Sequence, residues 1–231
     1  MRLFSTEAVS KYHPDKYADQ ISDAILTECL KQDRQSHCGI ETMVKGNTVV
    51  LGGEITSKAD INYDQIVRRV AKKLGYRADK IINLIGEQSP EINRAVLSDE
   101  DIGAGDQGVV FGYANSECES MLPMAVDIAN RIVTLIEHDV DTDPDTILKG
   151  DSKTQVTIEY DEQNPPVRVH TVVLSTQHAP EVDMAQLRAD MIELVIRPTI
   201  PAELLDSDTR YLINPTGRFV VGGPQADSGL T

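Results

Sequence analysis

Apolar side chains recur at helical spacing in four segments of the chain. In the first segment, Tyr17, Ile21, Ile25 and Cys29 fall on one face, and Pro14 suits the first turn of a helix. The remaining segments show the same spacing, and each predicts an amphipathic helix. The four predicted helices cover residues 15–32, 63–75, 124–138 and 183–196.

For the last of these helices, the sequence predicts both the apolar face and the C-terminal end. Leu187, Met191, Leu194 and Val195 follow one another at i, i+4, i+7 and i+8, so a regular helix would bury all four. Pro198 comes shortly afterwards, and proline disfavours helical backbone in the residue before it. The helix is therefore expected to stop at Pro198.

Strand-like runs lie between and after the helices. The paired runs cover residues 38–44 with 48–56 and 153–160 with 167–176, and the single runs cover residues 81–86 and 210–214. The first pair flanks Lys45-Gly46-Asn47, which is typical of a hairpin turn. The order helix, hairpin, helix, strand thus occurs twice, which predicts an α+β fold with repeated units. A true duplication and an ordinary α+β arrangement remain equally open.

Charge and composition exclude several classes of function. The 231 residues carry a formal net charge of −15, which argues against a nucleic-acid surface and requires cations between the protein and any phosphate ligand. No apolar run reaches the ~20 residues of a membrane helix, and the start lacks a secretory core, so we expect a cytoplasmic protein without a membrane partner. Cys29, Cys38 and Cys118 lack CxxC spacing and are expected to be reduced.

Three short stretches carry candidate chemistry, each with a plainer alternative. His13-Pro14-Asp15-Lys16 opens a predicted helix, where anions bind readily, but Asp15 is equally suited to be an ordinary first-turn acid. Glu41 and Glu54 lie on opposite strands of the first hairpin, not far from facing each other, where Glu7 is a third candidate; a solvated face would explain them too. The stretch 214–219 suits a nucleotide or a structural turn.

A glycine- and aspartate-rich segment separates the two predicted units. Residues 87–119 are long for a connection and include Gly-Ala-Gly-Asp-Gln-Gly at 103–108. This motif is neither a P-loop nor a dinucleotide fingerprint, because it lacks Gly-Lys-Ser/Thr and no strand directly precedes it. The segment is predicted to be a functional loop or a linker.

Several motifs in fixed order resemble one family. They are His-Pro-Asp-Lys at 13–16, GGEIT at 52–56, GAGDQG at 103–108, KTQVT at 153–157, VVLSTQH at 172–178 and INPTGRFVVGGP at 213–224. From Phe4 to Thr231 the sequence is similar to the methionine adenosyltransferases (S-adenosylmethionine synthetases). It departs from that family at Lys11-Tyr12, where Glu-Gly is usual, at Lys149-Gly150, where Arg-Pro is usual, and at Ala226, where glycine is usual.

The resemblance implies an enzyme that joins ATP to L-methionine with the help of Mg²⁺ and K⁺. It implies that His13 contacts the triphosphate and assists its departure, with Lys153 as a second catalytic residue on the phosphates. Asp15 would ligate magnesium and Glu41 potassium. The remaining ATP-binding residues would be Asp151, Ser152, Arg218, Phe219 and Asp227. Methionine would be bound by Glu54, Gln88 and Asp227, and a mobile loop would include Gln88 and Asp106.

The resemblance also implies an architecture. The family has three similar α+β units, so residues 1–102 would form the N-terminal domain and residues 103–231 the central domain, with the C-terminal domain absent from this chain. Homodimers, or dimers of dimers, would form through flat sheet surfaces, and a separate chain is one source of the missing domain. The alternative function is a truncated, non-catalytic subunit that binds nucleotide or methionine, or pairs with a full-length enzyme.

Overall fold

The computed structural model describes residues 1–87, 97–98, 101–102, 108–162 and 165–231. These residues form two compact units. Unit 1 comprises Met1–Lys16 and Tyr113–Ala226, and unit 2 comprises Tyr17–Gly112 and Asp227–Thr231. Each unit contains its own mixed sheet, and a further short pair of strands, β6 (Leu97–Ser98) and β7 (Asp101–Ile102), is antiparallel. The domain boundary at residues 102–103 stays a prediction.

Unit 2 is built around the first predicted hairpin. Its strands are β2 (His37–Lys45), β3 (Thr48–Thr56), β4 (Lys80–Asn83), β5 (Gly86–Glu87) and β11 (Gly229–Leu230). Strands β2 and β3 are antiparallel, β4 and β5 run parallel to β3, and β11 pairs antiparallel with β2. Gly46 has a φ of 56°, so the predicted hairpin turn is confirmed at a position that favours glycine.

Two helices contribute apolar side chains to the core of unit 2, as their periodicity predicts. Helix α1 spans Pro14–Gln32 and helix α2 spans Tyr63–Lys73, with Asn62 capping the start of α2. Their buried residues recur every three or four positions because that spacing returns to the same helix face. These buried residues are Tyr17, Ala18, Ile21, Ile25 and Cys29 in α1, and Ile66, Val67, Val70 and Ala71 in α2.

Unit 1 repeats this plan around a longer hairpin. Its sheet has the order β1 (Arg2–Val9), β8 (Leu148–Tyr160), β9 (Pro166–His178) and β10 (Arg210–Ile213). Strands β8 and β9 are antiparallel, β10 runs parallel to β9, and β1 is antiparallel to β8. Helix α3 (Met124–Thr142) buries Ala125, Ile128, Ala129, Ile132, Val133 and Ile136 in the core of this unit.

The two sheets therefore share one connectivity, which confirms the predicted repeat of helix, hairpin, helix and strand. In each unit the strand after the second helix lies parallel to the second hairpin strand. In each unit a further strand pairs antiparallel with the first hairpin strand. That strand comes from the start of the chain in unit 1 and from residues 229–230 in unit 2, and the periodicity of the sequence signalled neither.

The helix after β9 differs from its prediction. Helix α4 covers Met184–Asp190, and a π-helical turn follows at Met191–Ile196, where the N–H of Arg197 donates to the carbonyl of Ile192. A π turn inserts an extra residue and rotates the later side chains. Leu194 is consequently 68% exposed, although the regular spacing predicted its burial, whereas Ile196 is fully buried. The helix ends at Thr199, after a short helical turn, α5 (Arg197–Thr199), one residue beyond the predicted stop at Pro198.

No helix among the described residues is sufficiently long and apolar to cross a membrane.

The three cysteines are free thiols, as expected from their spacing. Cys29 is buried in unit 2, and its burial, together with a hydrogen bond to Cys38, raises the pKa of its thiol to about 12. Cys29 is therefore not a ready nucleophile at neutral pH.

Candidate functional site

A tight turn places the His-Pro-Asp-Lys stretch against strand β8 in unit 1. The N–H of Ser10 donates to the carbonyl of Ser152 at 2.9 Å, and the Ser10 hydroxyl donates to the carbonyl of Gly150 at 2.7 Å. The N–H of Ser152 returns a bond to the Ser10 hydroxyl at 3.1 Å, and the N–H of His13 donates to the carbonyl of Ser10 at 2.9 Å. Ser10 is fully buried, so the turn has a fixed position on β8.

The imidazole of His13 is oriented by the first residues of α1. Its Nδ1 accepts a hydrogen bond from the N–H of Asp15 at 3.2 Å, and the Asp15 carboxylate lies 3.7 Å from the same nitrogen. The His13 side chain is only 13% exposed, while that of Asp15 is 53% exposed. Within the described residues, Nε2 of His13 makes no hydrogen bond. The His13 side chain therefore keeps one ring nitrogen without a protein partner among the described residues, and the Asp15 carboxylate beside it is half-exposed.

Asp151 holds the turn that follows β10. Its side chain is buried, and one carboxylate oxygen accepts the N–H of Gly223 at 2.6 Å. A Cβ on Gly222 would lie 2.6 Å from the amide end of the Gln177 side chain and 3.1 Å from Cβ of Asp151, so a larger residue there would require Gln177 to move. Gln177 in turn donates to the carbonyl of Val220 at 2.9 Å. The glycine pair therefore serves packing against the ends of β8 and β9.

Sequence reasoning missed one residue that organises this turn, His178. The N–H of His178 donates to the carbonyl of Phe219, and the N–H of Phe219 donates to Nε2 of His178 at 3.0 Å. Nδ1 of His178 lies 2.8 Å from the carbonyl of Ala179, so Nδ1 carries the proton and Nε2 accepts. The residue is fully buried. Its position at the end of a strand gave no signal of this partner, which is 41 residues away.

Ser152 and Lys153 lie on opposite faces of β8 because successive side chains in a strand alternate. The Ser152 side chain is completely buried, and its hydroxyl has no hydrogen-bond partner among the described residues, nor has that of Thr176 on the paired strand. Lys153 is 45% exposed, and its ammonium lies 2.9 Å from the carboxylate of Glu7 on β1. Only Lys153 of this pair presents its side chain to solvent.

Arg218 and Phe219 also differ in their surroundings. The Arg218 guanidinium donates to the carbonyls of Pro180 and Val182, the latter at 3.2 Å. It is exposed and lies next to the start of α4, while the backbone of Phe219 is held by His178. The aromatic ring of Phe219 is half-buried. The predicted nucleotide pair is therefore present in unit 1, with its arginine already engaged by backbone oxygens.

The predicted ligands of unit 2 lie on exposed positions. Glu41 pairs in register with Gly52, and Glu54 pairs with Gly39, so the two carboxylates share one face of the hairpin and are offset by two residues. Both are exposed. Glu7 belongs to the sheet of unit 1 and pairs with Lys153 there instead. In unit 2, Asp227 is exposed and accepts the N–H of Ser228 at 2.8 Å.

Two predicted positions fall outside the described residues. Gln88, predicted to bind methionine, is one of them, and Asp106 of the glycine-rich motif is the other. The predicted mobile loop that contains both stays a prediction. The preceding strand β5 ends at Glu87, where it pairs with Ile55 of β3.

The donor set for a metal ion is sparse. Within the described ranges, no three His, Cys, Asp or Glu side chains lie close enough together to hold one. Mg²⁺ is nevertheless bound in many phosphate sites by one or two carboxylates and the phosphates of the substrate. The exposed carboxylate of Asp15 beside His13 fits that arrangement, and the two carboxylates on the hairpin face offer oxygen ligands to a monovalent cation.

The fold and the site together define a class: an α+β protein of two helix–hairpin–helix–strand units, with a tight, hydrogen-bonded turn that carries His13 at the start of α1. Comparison with protein families gives two matches. Residues 1–95 match "S-adenosylmethionine synthetase, N-terminal domain", and residues 101–219 match "S-adenosylmethionine synthetase, central domain". The chain belongs to the S-adenosylmethionine synthetase family.

Proposed function

We propose that this chain forms S-adenosylmethionine from ATP and L-methionine, as a methionine adenosyltransferase. The observation that carries the proposal is the hydrogen-bonded cluster in unit 1, where the His13 turn, the start of β8 and the Phe219 turn meet. These segments supply an imidazole, an ammonium and backbone-exposing glycines, which suit a nucleotide with a triphosphate. The family matches over residues 1–95 and 101–219 support the same activity.

In this reaction the methionine sulfur attacks C5′ of the ribose, a sulfur–carbon bond forms, and the carbon–oxygen bond to the triphosphate breaks. Water then splits the triphosphate into phosphate and pyrophosphate. No protein nucleophile is required, so catalysis depends on orientation and on neutralising the departing oxygens. His13 would donate from Nε2 to the triphosphate, since its Nδ1 accepts from Asp15 and is not available. Lys153 would exchange Glu7 for a phosphate.

In this proposal each cation is bound by one carboxylate of the chain. Asp15 would hold Mg²⁺ and Glu41 would hold K⁺; the bound Mg²⁺ supplies positive charge to phosphate oxygens. Such charge is needed because the protein's own net charge is −15. The solvent exposure of the Asp15 side chain, 53%, and its position beside His13 support this role.

The other site residues keep their proposed roles, but some would act through the turns that they fix and others through direct contact. Asp151 and Ser152 would act on the nucleotide through the turn positions they fix, because both side chains are buried. Arg218, Phe219 and Asp227 would contact the nucleotide, and Arg218 must first leave the carbonyls it now binds. Methionine would meet Glu54, Gln88 and Asp227.

We also propose the partners that the family resemblance implies. The chain would form homodimers or dimers of dimers through sheet faces, and another polypeptide would supply a C-terminal domain if this chain lacks one. Exposed apolar residues on the open face of the unit 2 sheet, Met43 and Leu230, support such pairing. A cytoplasmic location is expected.

The direct test is product formation by the purified full chain with ATP, L-methionine, Mg²⁺ and K⁺. Lys153→Ala should lower kcat/KM by about 100-fold or more, the usual effect of removing one key electrostatic donor. Lys149→Ala is the matched control, because Lys149 lies on the same strand and is exposed. Nucleotide binding without product, with and without a candidate C-terminal partner, would instead identify a non-catalytic subunit.

A further inference from the structure

The turn that precedes His13 is hydrogen-bonded to the last turns of helix α3. The N–H of Lys11 donates to the Glu137 carboxylate at 2.5 Å, and the Lys11 ammonium and the Tyr12 hydroxyl both bind the carboxylate of Asp141. Glu137 and Asp141 are spaced i, i+4, so they lie on one face of the helix. Acidic groups near a helix C-terminus are unfavourable, and α3 has no basic residue in its last turn. Lys11 supplies the missing positive charge.

The ring of Tyr12 lies directly on the backbone of β8. A Cβ added to Gly150 would stand 2.2 Å from Cγ of the ring and 2.5–2.6 Å from both Cδ atoms. The backbone of Gly150 does not have the positive φ that would itself demand glycine. Space for Tyr12 is therefore the reason that position 150 excludes a side chain.

The hydroxyl of Tyr12 is held as a donor. Partial burial of the ring, followed by the hydrogen bond to Asp141 and the charges of Asp141 and Glu137, raises the pKa of the phenol. Hydrogen bonds from Lys11 and Tyr12 lower the pKa of Asp141, so its carboxylate stays ionised as the acceptor. The Asp141 side chain is 41% exposed, which screens the pair but leaves its geometry intact.

We propose that Tyr12 is a positioning residue for His13, and this inference rests on the proposed function. Three anchors fix the turn that carries His13: Ser10 on β8, Tyr12 between Gly150 and Asp141, and the N–H of Asp15 on the imidazole itself. Tyr12 is bonded directly to His13 in the chain, so a ring fixed on Gly150 fixes the Cα of the next residue. The turn then presents Nε2 of His13 to the triphosphate in one orientation.

The experiment removes the hydroxyl, the ring or the space for the ring in the full chain. Tyr12→Phe should lower kcat about fivefold and Tyr12→Ala about 50-fold, with the KM for L-methionine unchanged. Gly150→Ala should resemble Tyr12→Ala, and adding it to Tyr12→Ala should cost nothing more. In a His13→Ala background, Tyr12→Phe should have no further effect on kcat, because its action passes through His13.

A spectroscopic readout makes the test independent of turnover. With ¹³C-labelled histidine, the imidazole signal lost in His13→Ala identifies His13, and Tyr12→Ala should shift or broaden that signal while the buried His178 signal stays unchanged. Tyr160→Phe is the matched control, because Tyr160 also donates to a carboxylate, that of Glu117 at 3.0 Å, in the same unit. It should leave the His13 signal and kcat unchanged.

The outcomes separate the two proposals. A wild-type chain that makes no product either alone or with a candidate C-terminal partner contradicts the proposed function, and the histidine signals then still decide whether Tyr12 positions His13. If the His13 signal and kcat are the same in Tyr12→Ala as in the wild type, the inference about Tyr12 is wrong. It is equally wrong if Tyr160→Phe produces the effects expected of Tyr12→Phe.

Discussion

Gly53 shows how a single residue sets the geometry of the hairpin face that carries Glu41 and Glu54. It has a φ of 107°, a conformation that side chains with a Cβ rarely adopt, and a Cβ there would stand 1.8 Å from the carbonyl oxygen of Gly39. Its neighbour Gly52 has neither constraint, since a Cβ there meets nothing within 4 Å. Two adjacent glycines of one motif thus differ completely in what they require.

This contrast predicts a difference in stability. Gly53→Ala should lower the free energy of unfolding by about 3 kcal/mol or more, because backbone strain and a steric clash add together. Gly52→Ala, the matched control, should change it by less than about 1 kcal/mol. Urea denaturation of both variants measures the difference, and equal effects would contradict the geometry of Gly53.

At the site, the sequence predicted which segments matter better than how their side chains point. Strand alternation could have predicted that Ser152 and Lys153 face opposite ways, but not which of them is buried. The bonds of Arg218 to the carbonyls of Pro180 and Val182 join positions 36–38 residues apart. Such contacts depend on how the chain packs, which local periodicity does not encode.

Among the elements, the helix after β9 departs most from a regular pattern. Proline has no N–H, so Pro198 could not have donated to the carbonyl of Leu194, four residues earlier. The π turn comes immediately before it and moves Leu194 to the surface while Val195 and Ile196 remain buried. Spacing alone could predict the helix but not this turn, because hydrophobic periodicity assumes a constant rotation per residue.

The π turn predicts which apolar residue of this helix matters. Leu194→Ala should change the free energy of unfolding by less than about 0.5 kcal/mol, as expected of a surface substitution. Ile196→Ala should cost about 2–5 kcal/mol, because it leaves a cavity in the core of unit 1. Thermal or urea unfolding compares the two; a large cost for Leu194→Ala would indicate a regular helix instead.

At the scale of the whole molecule, the charge imposes a condition on any anionic ligand. With 37 acidic and 22 basic residues, the chain repels a polyphosphate unless cations accompany it. The sequence established this condition, the α+β class and the repeat of two units. It could not establish that each sheet takes an edge strand from a distant part of the chain, since the partners of β1 and β11 lie far away in the sequence and local periodicity does not encode them.

The charge leads to a prediction about magnesium. Inorganic triphosphate with MgCl₂ should raise the Tm more than triphosphate with NaCl at equal ionic strength; a ligand at about 100 times its Kd adds ~2.7 kcal/mol. Asp15→Asn should remove the magnesium-dependent part. Asp64→Asn is the control, because Asp64 is likewise an exposed first-turn acid, in α2. Equal losses in both variants would make Asp15 an ordinary helix-start acid.

Strand β1 imposes an order on synthesis and strand pairing in the nascent polypeptide. Ser5 and Thr157 share a hydrogen bond across 152 positions of sequence, so β1 finds its partner only after all the intervening residues have been made. At ordinary rates of translation this delay is on the order of ten seconds. During that interval the segment that later presents His13 has no strand to lie against, and chaperones would meet it unpaired.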